Sequence, residues 1–267
     1  MKNKILVLFF LFFLVPSVVF AMGTTPNKPT IEELQIKVET KLKSLNNDLA
    51  KTVKEIGQTG LVSNSTSQLM QDLYKKHSSI INIVTVAPEG TILSVVLSTY
   101  QTAIGQNISD QAHFIKLKEI EKPVLSELFM TVEKFYAIAL AYPVFNQDNK
   151  NIGFVSVVFQ PNALVRNSIG SQIDNFPNIT VTMIQENGRI LYDRDMLQVG
   201  KITFSDPSYQ DYPTLLKLAE RITSEVRGSG SYEFPARFGT KPIEKNSAWE
   251  TISLYDTNWR LVLSEDS

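Results

Sequence analysis

A near-repeat constrains the fold of this chain more than any other feature. Val84-Thr85-Val86-Ala87-Pro88-Glu89-Gly90-Thr91-Ile92-Leu93 returns, with one residue inserted, as Val181-Thr182-Met183-Ile184-Gln185-Glu186-Asn187-Gly188-Arg189-Ile190-Leu191. In both copies a β-branched run meets a Gly-containing turn and a second apolar run follows, the pattern of a β-hairpin whose turn needs a residue tolerant of positive φ. The echo continues: Ile104-Gly105-Gln106 leading to Ser109-Asp110 matches Val199-Gly200-Lys201 leading to Ser205-Asp206. The offset is about 95 to 98 residues, too long for a solenoid unit and right for a small domain. Two related α+β modules in tandem are expected.

The 267 residues, 43% hydrophobic and 20% charged, suffice for two small cores. Residues 1–21 read as a signal peptide: Lys2 and Lys4 precede an uncharged run from Ile5 to Phe20, Pro16 breaks it, and Val19-Phe20-Ala21 suits a signal peptidase. An uncleaved anchor is the alternative, because the run approaches the length that spans a bilayer. Cleavage would leave 24 basic and 27 acidic residues, too near neutral for a nucleic-acid partner. With no cysteine anywhere, disulfides, thiol catalysis and thiolate metal sites are excluded. The expected product is secreted or periplasmic, or membrane-anchored at its N-terminus if uncut.

Residues 22–66 read as a linker and a long helix. Thr30 caps the helix with Glu33 at the capping-box position, and Ile31, Leu34, Val38, Leu42, Leu45, Leu49, Val53 and Ile56 form one apolar stripe ending at Gly57 and Gly60. The stripe suits a helix lying along both modules, and a coiled-coil dimer seam is its alternative use. The first module is expected over 67–165. It holds a helix at 67–77, the hairpin at Pro88-Glu89-Gly90, short helices between Tyr100 and Glu121, and strands around Phe135–Tyr142 and Gly153–Phe159. The second, over 166–267, follows a connecting helix at 161–171. It has its hairpin at Asn187-Gly188, a helix at Tyr212–Val226 and strands at Ser231–Phe234, Ala248–Tyr255 and Trp259–Leu263, with a last turn at Asp256-Thr257-Asn258. Gly228-Ser229-Gly230-Ser231 reads as a flexible turn.

The order of these segments resembles the double Cache domain, the extracytoplasmic sensing unit of bacterial and archaeal chemoreceptors and histidine kinases. The likeness is carried by Asp110-Gln111-Ala112-His113-Phe114, Lys122-Pro123-Val124-Leu125-Ser126, Tyr142-Pro143-Val144-Phe145 and Gly153-Phe154-Val155. In the second half it is carried by Gly188-Arg189-Ile190-Leu191-Tyr192-Asp193, Val199-Gly200, Trp249 and Asn258-Trp259-Arg260-Leu261-Val262. The resemblance implies two PAS-like modules, each a central antiparallel β-sheet with flanking helices, and a small-molecule site in the first. It implies signalling through a separate membrane receptor or histidine kinase. Amino-acid-binding members clamp their ligand with an Arg-x-Trp-Tyr segment, a further Tyr and an Asp. Here the matching positions are Gln111, His113, Phe114, Phe129 and Val158. Without the Arg and the Asp, an α-amino acid loses its carboxylate donor and its ammonium partner. The pocket implied is lined by His113, Phe114, Ser126, Phe129, Tyr136, Tyr142 and Val158, and suits a small, largely apolar or weakly acidic ligand.

No cofactor, metal site or catalytic residue is expected. His77 and His113 are not at metal-ligand spacing, though His113 is a residue that ordinarily titrates near neutral pH. No nucleophile elbow, His-Glu-x-x-His helix or phosphate-binding glycine loop is present. Asp193 and Asp195 read as a strand end, and Trp249 and Trp259 as packing. A ligand-free scaffold and an unrecognised hydrolase are the alternatives to a sensor.

Overall fold

A computed structural model describes residues 27–131, 135–235 and 240–267, so the expected signal peptide lies outside them. Helix α1 (Ile31–Thr59) opens with the expected capping box: Thr30 accepts from the Glu33 amide, and the Glu33 side chain returns to the Thr30 amide. All eight residues of the apolar stripe are buried. Gly57 lies inside the helix. It allows α1 to touch the Phe145 carbonyl, which a Cβ would meet at 2.2 Å, and the helix stops at Gly60, whose φ is +83°.

Helix α2 (Asn64–Lys76), capped by Ser63, leads into the first sheet. Its strands are β1 (Ile80–Val86), β2 (Ile92–Val95), β3 (Val124–Leu125), β4 (Phe129–Met130), β5 (Tyr136–Phe145) and β6 (Asn151–Phe159), with α3 (Ala112–Ile120) between β2 and β3. The order is β2-β1-β6-β5-β3, β4 also pairing with β5. After α4 (Pro161–Ile173) come β7 (Ile179–Gln185), β8 (Ile190–Tyr192), α5 (Pro213–Ser224), β9 (Arg227–Pro235), β10 (Pro242–Leu254) and β11 (Thr257–Asp266), ordered β8-β7-β11-β10-β9. The two antiparallel sheets thus share one topology, with the last strand of each module at its centre.

The sequence echo is an echo of hydrogen bonds. Gly105 donates to the Ile92 carbonyl and Gly200 to the Ile190 carbonyl, both at 2.9 Å, with φ of +85° and +89°. Both hairpins carry a bulge in the first strand, between Thr85 and Val86 and between Met183 and Ile184. The tract from Gly228 to Ser231, expected as a flexible turn, is instead paired strand in β9. Its glycines are there for clearance: a Cβ at Gly228 would meet the Trp249 ring at 2.4 Å, and one at Gly230 would meet Leu218 at 2.6 Å.

One face of each sheet packs on α1 and α4 in a continuous core running from Ile31 and Leu45 through Leu140 and Val157 to Met183, Trp259 and Leu261. The α1 stripe is therefore used up within one chain. A dimer seam built on that stripe is ruled out, because the side chains it needs are already covered. The opposite face of the first sheet is filled by Phe114 and Leu117 of α3 against Val84, Val86 and Phe154. On the second sheet α5 covers the matching face, with Leu218 and Ile222 against Ile184, Trp249 and Val262, and a cavity lies beneath it.

Candidate functional site

The start of α3, the segment carrying β3 and β4, and two turns of the second module enclose a cleft of about 590 Å³. Its first-module wall includes Gln111, His113, Lys116 and residues 124–130, and the facing wall is residues 185–187 and 256–258. Hydrogen bonds across the module boundary hold it. The Leu128 amide donates to Gln185 Oε1 at 3.1 Å, the Thr257 hydroxyl donates to the Leu125 carbonyl at 2.9 Å, and Lys116 pairs with Asp256.

His113 stacks on Phe129 with ring centroids 5.4 Å apart and planes inclined by 27°. Burial lowers its pKa to about 4, so the ring stays neutral across the physiological range and offers one donor and one acceptor. The titration near neutrality expected of an ordinary histidine is lost to desolvation. Ser126 borders the same cleft, but its hydroxyl donates to the Glu127 carbonyl at 2.7 Å and accepts from the Ala139 amide at 2.8 Å, which ties it to the backbone.

The other sequence-implied residues lie elsewhere. Phe114 is buried edge-on against Phe154, centroids 5.1 Å apart. Val158 is half-buried on the same face of the first sheet as Phe154, because alternate residues Val155, Val157 and Phe159 point into the α1 core. Tyr136 and Tyr142 pack with that α1 core, across the sheet from Val158. Tyr136 lies against Gly200 of the second module, where a Cβ would meet its ring at 2.2 Å. The Tyr142 hydroxyl donates to Asn46 Oδ1 of α1 at 2.7 Å and meets the Tyr255 hydroxyl; burial first, then that neighbour, pushes its pKa up. The structure thus brings His113, Phe129 and Ser126 together, and leaves Phe114, Val158, Tyr136 and Tyr142 as packing or joint residues.

Reading the sequence missed the second wall, above all Gln185, Glu186 and Asn258. These sit in the turns of the repeat, and no local signal says that the turns of one module face the other. They and Lys116 make the cleft more polar than the resemblance implied. Among the described residues no group of three or more His, Asp or Glu side chains is placed to hold a metal ion, and no helix is long and apolar enough to cross a membrane.

Residues 40–161 match the HK/GC/chemotaxis protein-like sensor domain. No curated protein sequence matches the chain. Among solved structures, the chain is similar to an extracellular ligand-binding receptor from Desulfohalobium retbaense DSM5692: 30% identity, TM-score 0.72, covering 88% of this chain and 40% of the other. It thus spans about two fifths of that receptor chain. It is also similar to the ligand-binding domain of the Pseudomonas aeruginosa PAO1 amino acid chemoreceptor PctC, in complex with GABA, at 12% identity and TM-score 0.61 over 88% and 96% of the two chains. The ligand-binding domain of the Pseudomonas fluorescens chemoreceptor CtaA, in complex with L-isoleucine, gives 15% identity and TM-score 0.60 over 88% and 89%. With its long helix, its two like-ordered sheets and the sensor-domain match over residues 40–161, the chain is similar in fold to the Cache-type extracellular ligand-binding sensor domains of chemoreceptors and histidine kinases.

Proposed function

We propose that the protein is a soluble extracytoplasmic sensor, not an enzyme, that binds a small molecule at the first-module cleft and reports occupancy to a separate membrane receptor or histidine kinase. The observation that carries this reading is the cleft's double wall. A ligand resting on His113 and Phe129 also meets residues 185–187 and 256–258, so occupancy alters how the modules press on each other. The first module gives recognition and the second senses it.

The ligand is not an α-amino acid, although PctC and CtaA are receptors solved with amino-acid ligands. The clamp positions here are Gln111, His113, Phe114, Phe129 and Val158, which supply neither a guanidinium nor a carboxylate. A neutral imidazole stacked on an aromatic ring suits a small, largely apolar or weakly acidic molecule, and the Lys116 ammonium at the rim is already paired with Asp256. Thermal unfolding with a panel of short organic acids and α-amino acids tests this. A compound at 100 times its Kd adds about 2.7 kcal/mol to stability, a shift of several degrees. We expect an acid to give the largest shift, and His113→Ala and Phe129→Ala each to remove it. A largest shift from an α-amino acid refutes the ligand class, and no shift from any compound favours the ligand-free scaffold.

A further inference from the structure

The second module contains a cavity of its own, on the sheet face that α3 fills in the first. It encloses about 590 Å³, within the range of small-molecule sites. Most of its wall is apolar, made by Ile184 and Val262 of the sheet, Leu218 and Ile222 of α5, and the rings of Tyr209 and Phe234. Helix α5 touches the sheet over β9, where Gly230 admits Leu218, and the cavity lies between α5 and strands β7 and β11.

The polar part of the lining is unbalanced in charge. Both cations in it are already paired with acids outside it: Lys245, only 5% exposed, with Asp266, and Arg194 with Asp174 at 3.4 Å. Both acids in it, Asp193 and Asp195, make no ion pair among the described residues. Asp195 is spent locally, accepting from the Leu197 amide at 3.0 Å and from the Gln198 side chain at 2.7 Å. Asp193 accepts only the Thr182 hydroxyl at 3.0 Å and the Asp195 amide at 2.8 Å, which leaves lone pairs on both oxygens. Leu197 borders the cavity and is 80% exposed, which marks the mouth.

We propose that this cavity is a second ligand site, taking an amphiphilic amine whose ammonium pairs with Asp193 while its apolar body lies between the sheet and α5. An apolar room with an uncompensated carboxylate at one end calls for a cation with a hydrophobic tail. Aromatic walls stabilise the same cation further. A carboxylate ligand has no free partner, since Lys245 is held by Asp266. Burial raises the Asp193 pKa to about 6, and a bound ammonium reverses that shift.

The test is isothermal titration of the protein with 2-phenylethylamine, 3-phenylpropionate and L-phenylalanine. We expect the amine to bind at least tenfold more tightly than the other two. Asp193→Asn should weaken the amine at least tenfold, and Ala219→Phe, which fills the cavity from α5, should abolish it. His113→Ala should leave amine binding unchanged, which separates this site from the first-module cleft. Tighter binding of the acid or the zwitterion overturns the proposal, as does an amine that tolerates both Asp193→Asn and Ala219→Phe. Loss of amine binding in His113→Ala places the amine in the cleft and also overturns it, without touching the sensor reading.

Discussion

Single residues here trade stability against use, and Asp193 is the clearest case. Its folded pKa lies above its unfolded value, so its contribution is favourable at low pH and is lost as pH rises through about 6. The groups that bear on it are the Thr182 hydroxyl, the Asp195 amide and carboxylate, and the Lys245 ammonium. His113 works in the opposite sense. Its folded pKa of about 4 lies below the unfolded value, so stability is present above about 6.5 and is lost as pH falls towards 4. Buried His77 adds to that loss: burial lowers its pKa although it bonds to Asp48 at 2.8 Å, with Lys41 and Lys76 also nearby. Urea unfolding between pH 7 and 5 should therefore show a shallow dependence in the parent chain. Asp193→Asn should be more stable than the parent at pH 7, by about 1–2 kcal/mol after allowing for partial exposure, and should lose stability more steeply on acidification. A slope equal to the parent's would show that Asp193 titrates as in water. Gly228 makes a different demand: Gly228→Ala drives a methyl group into Trp249 and should cost about 1–3 kcal/mol in the same assay.

At the scale of elements, α1 was legible and β9 was not, for related reasons. Spacings of three and four along α1 reach the page directly, because burial of one helix face selects them. In β9 the residues needed for clearance, Gly228 and Gly230, are the ones that mark turns in isolation, and only Trp249 and Leu218 explain them. The short strands β3 and β4 were missed because two residues give no period to read. Because α1 serves both sheets, its side chains should be costly to shorten. Leu45→Ala, at a fully buried position in the shared core, should destabilise by about 2–5 kcal/mol, whereas Ile36→Ala, 59% exposed on the same helix, should stay within about 0.5 kcal/mol. Equal effects at the two positions in chemical denaturation would mean that the stripe is not the packed face.

For the whole molecule, the repeat disclosed two modules, while their joint had to be seen. Tyr142 of the first module, Asn46 of α1 and Tyr255 of the second meet through their side chains, and Tyr255 holds a φ of +56° at its turn. Of the implied pocket, the family likeness pointed to His113 and Phe129, which do meet. It could not reveal that Tyr136 and Tyr142 sit on the other face of their sheet, since that depends on the register of β5. A shared core should make the two modules unfold as one. Both tryptophans, Trp249 and Trp259, lie in the second module, so their fluorescence reports on it alone while circular dichroism reports on both. The two midpoints should coincide, and separate midpoints would show independent modules. The same core sets a timetable for synthesis. Gln35 near the start of α1 donates to the Thr251 carbonyl, 216 positions later, and β11, the middle strand of the second sheet, is made after every other element. Until residues 257–266 leave the ribosome, α1 has no complete surface to rest on and β7 has no partner on one side. Packing of the shared core must then wait until β11 has been made, and until that point the apolar face of α1 and the free edge of β7 stay open to wrong partners.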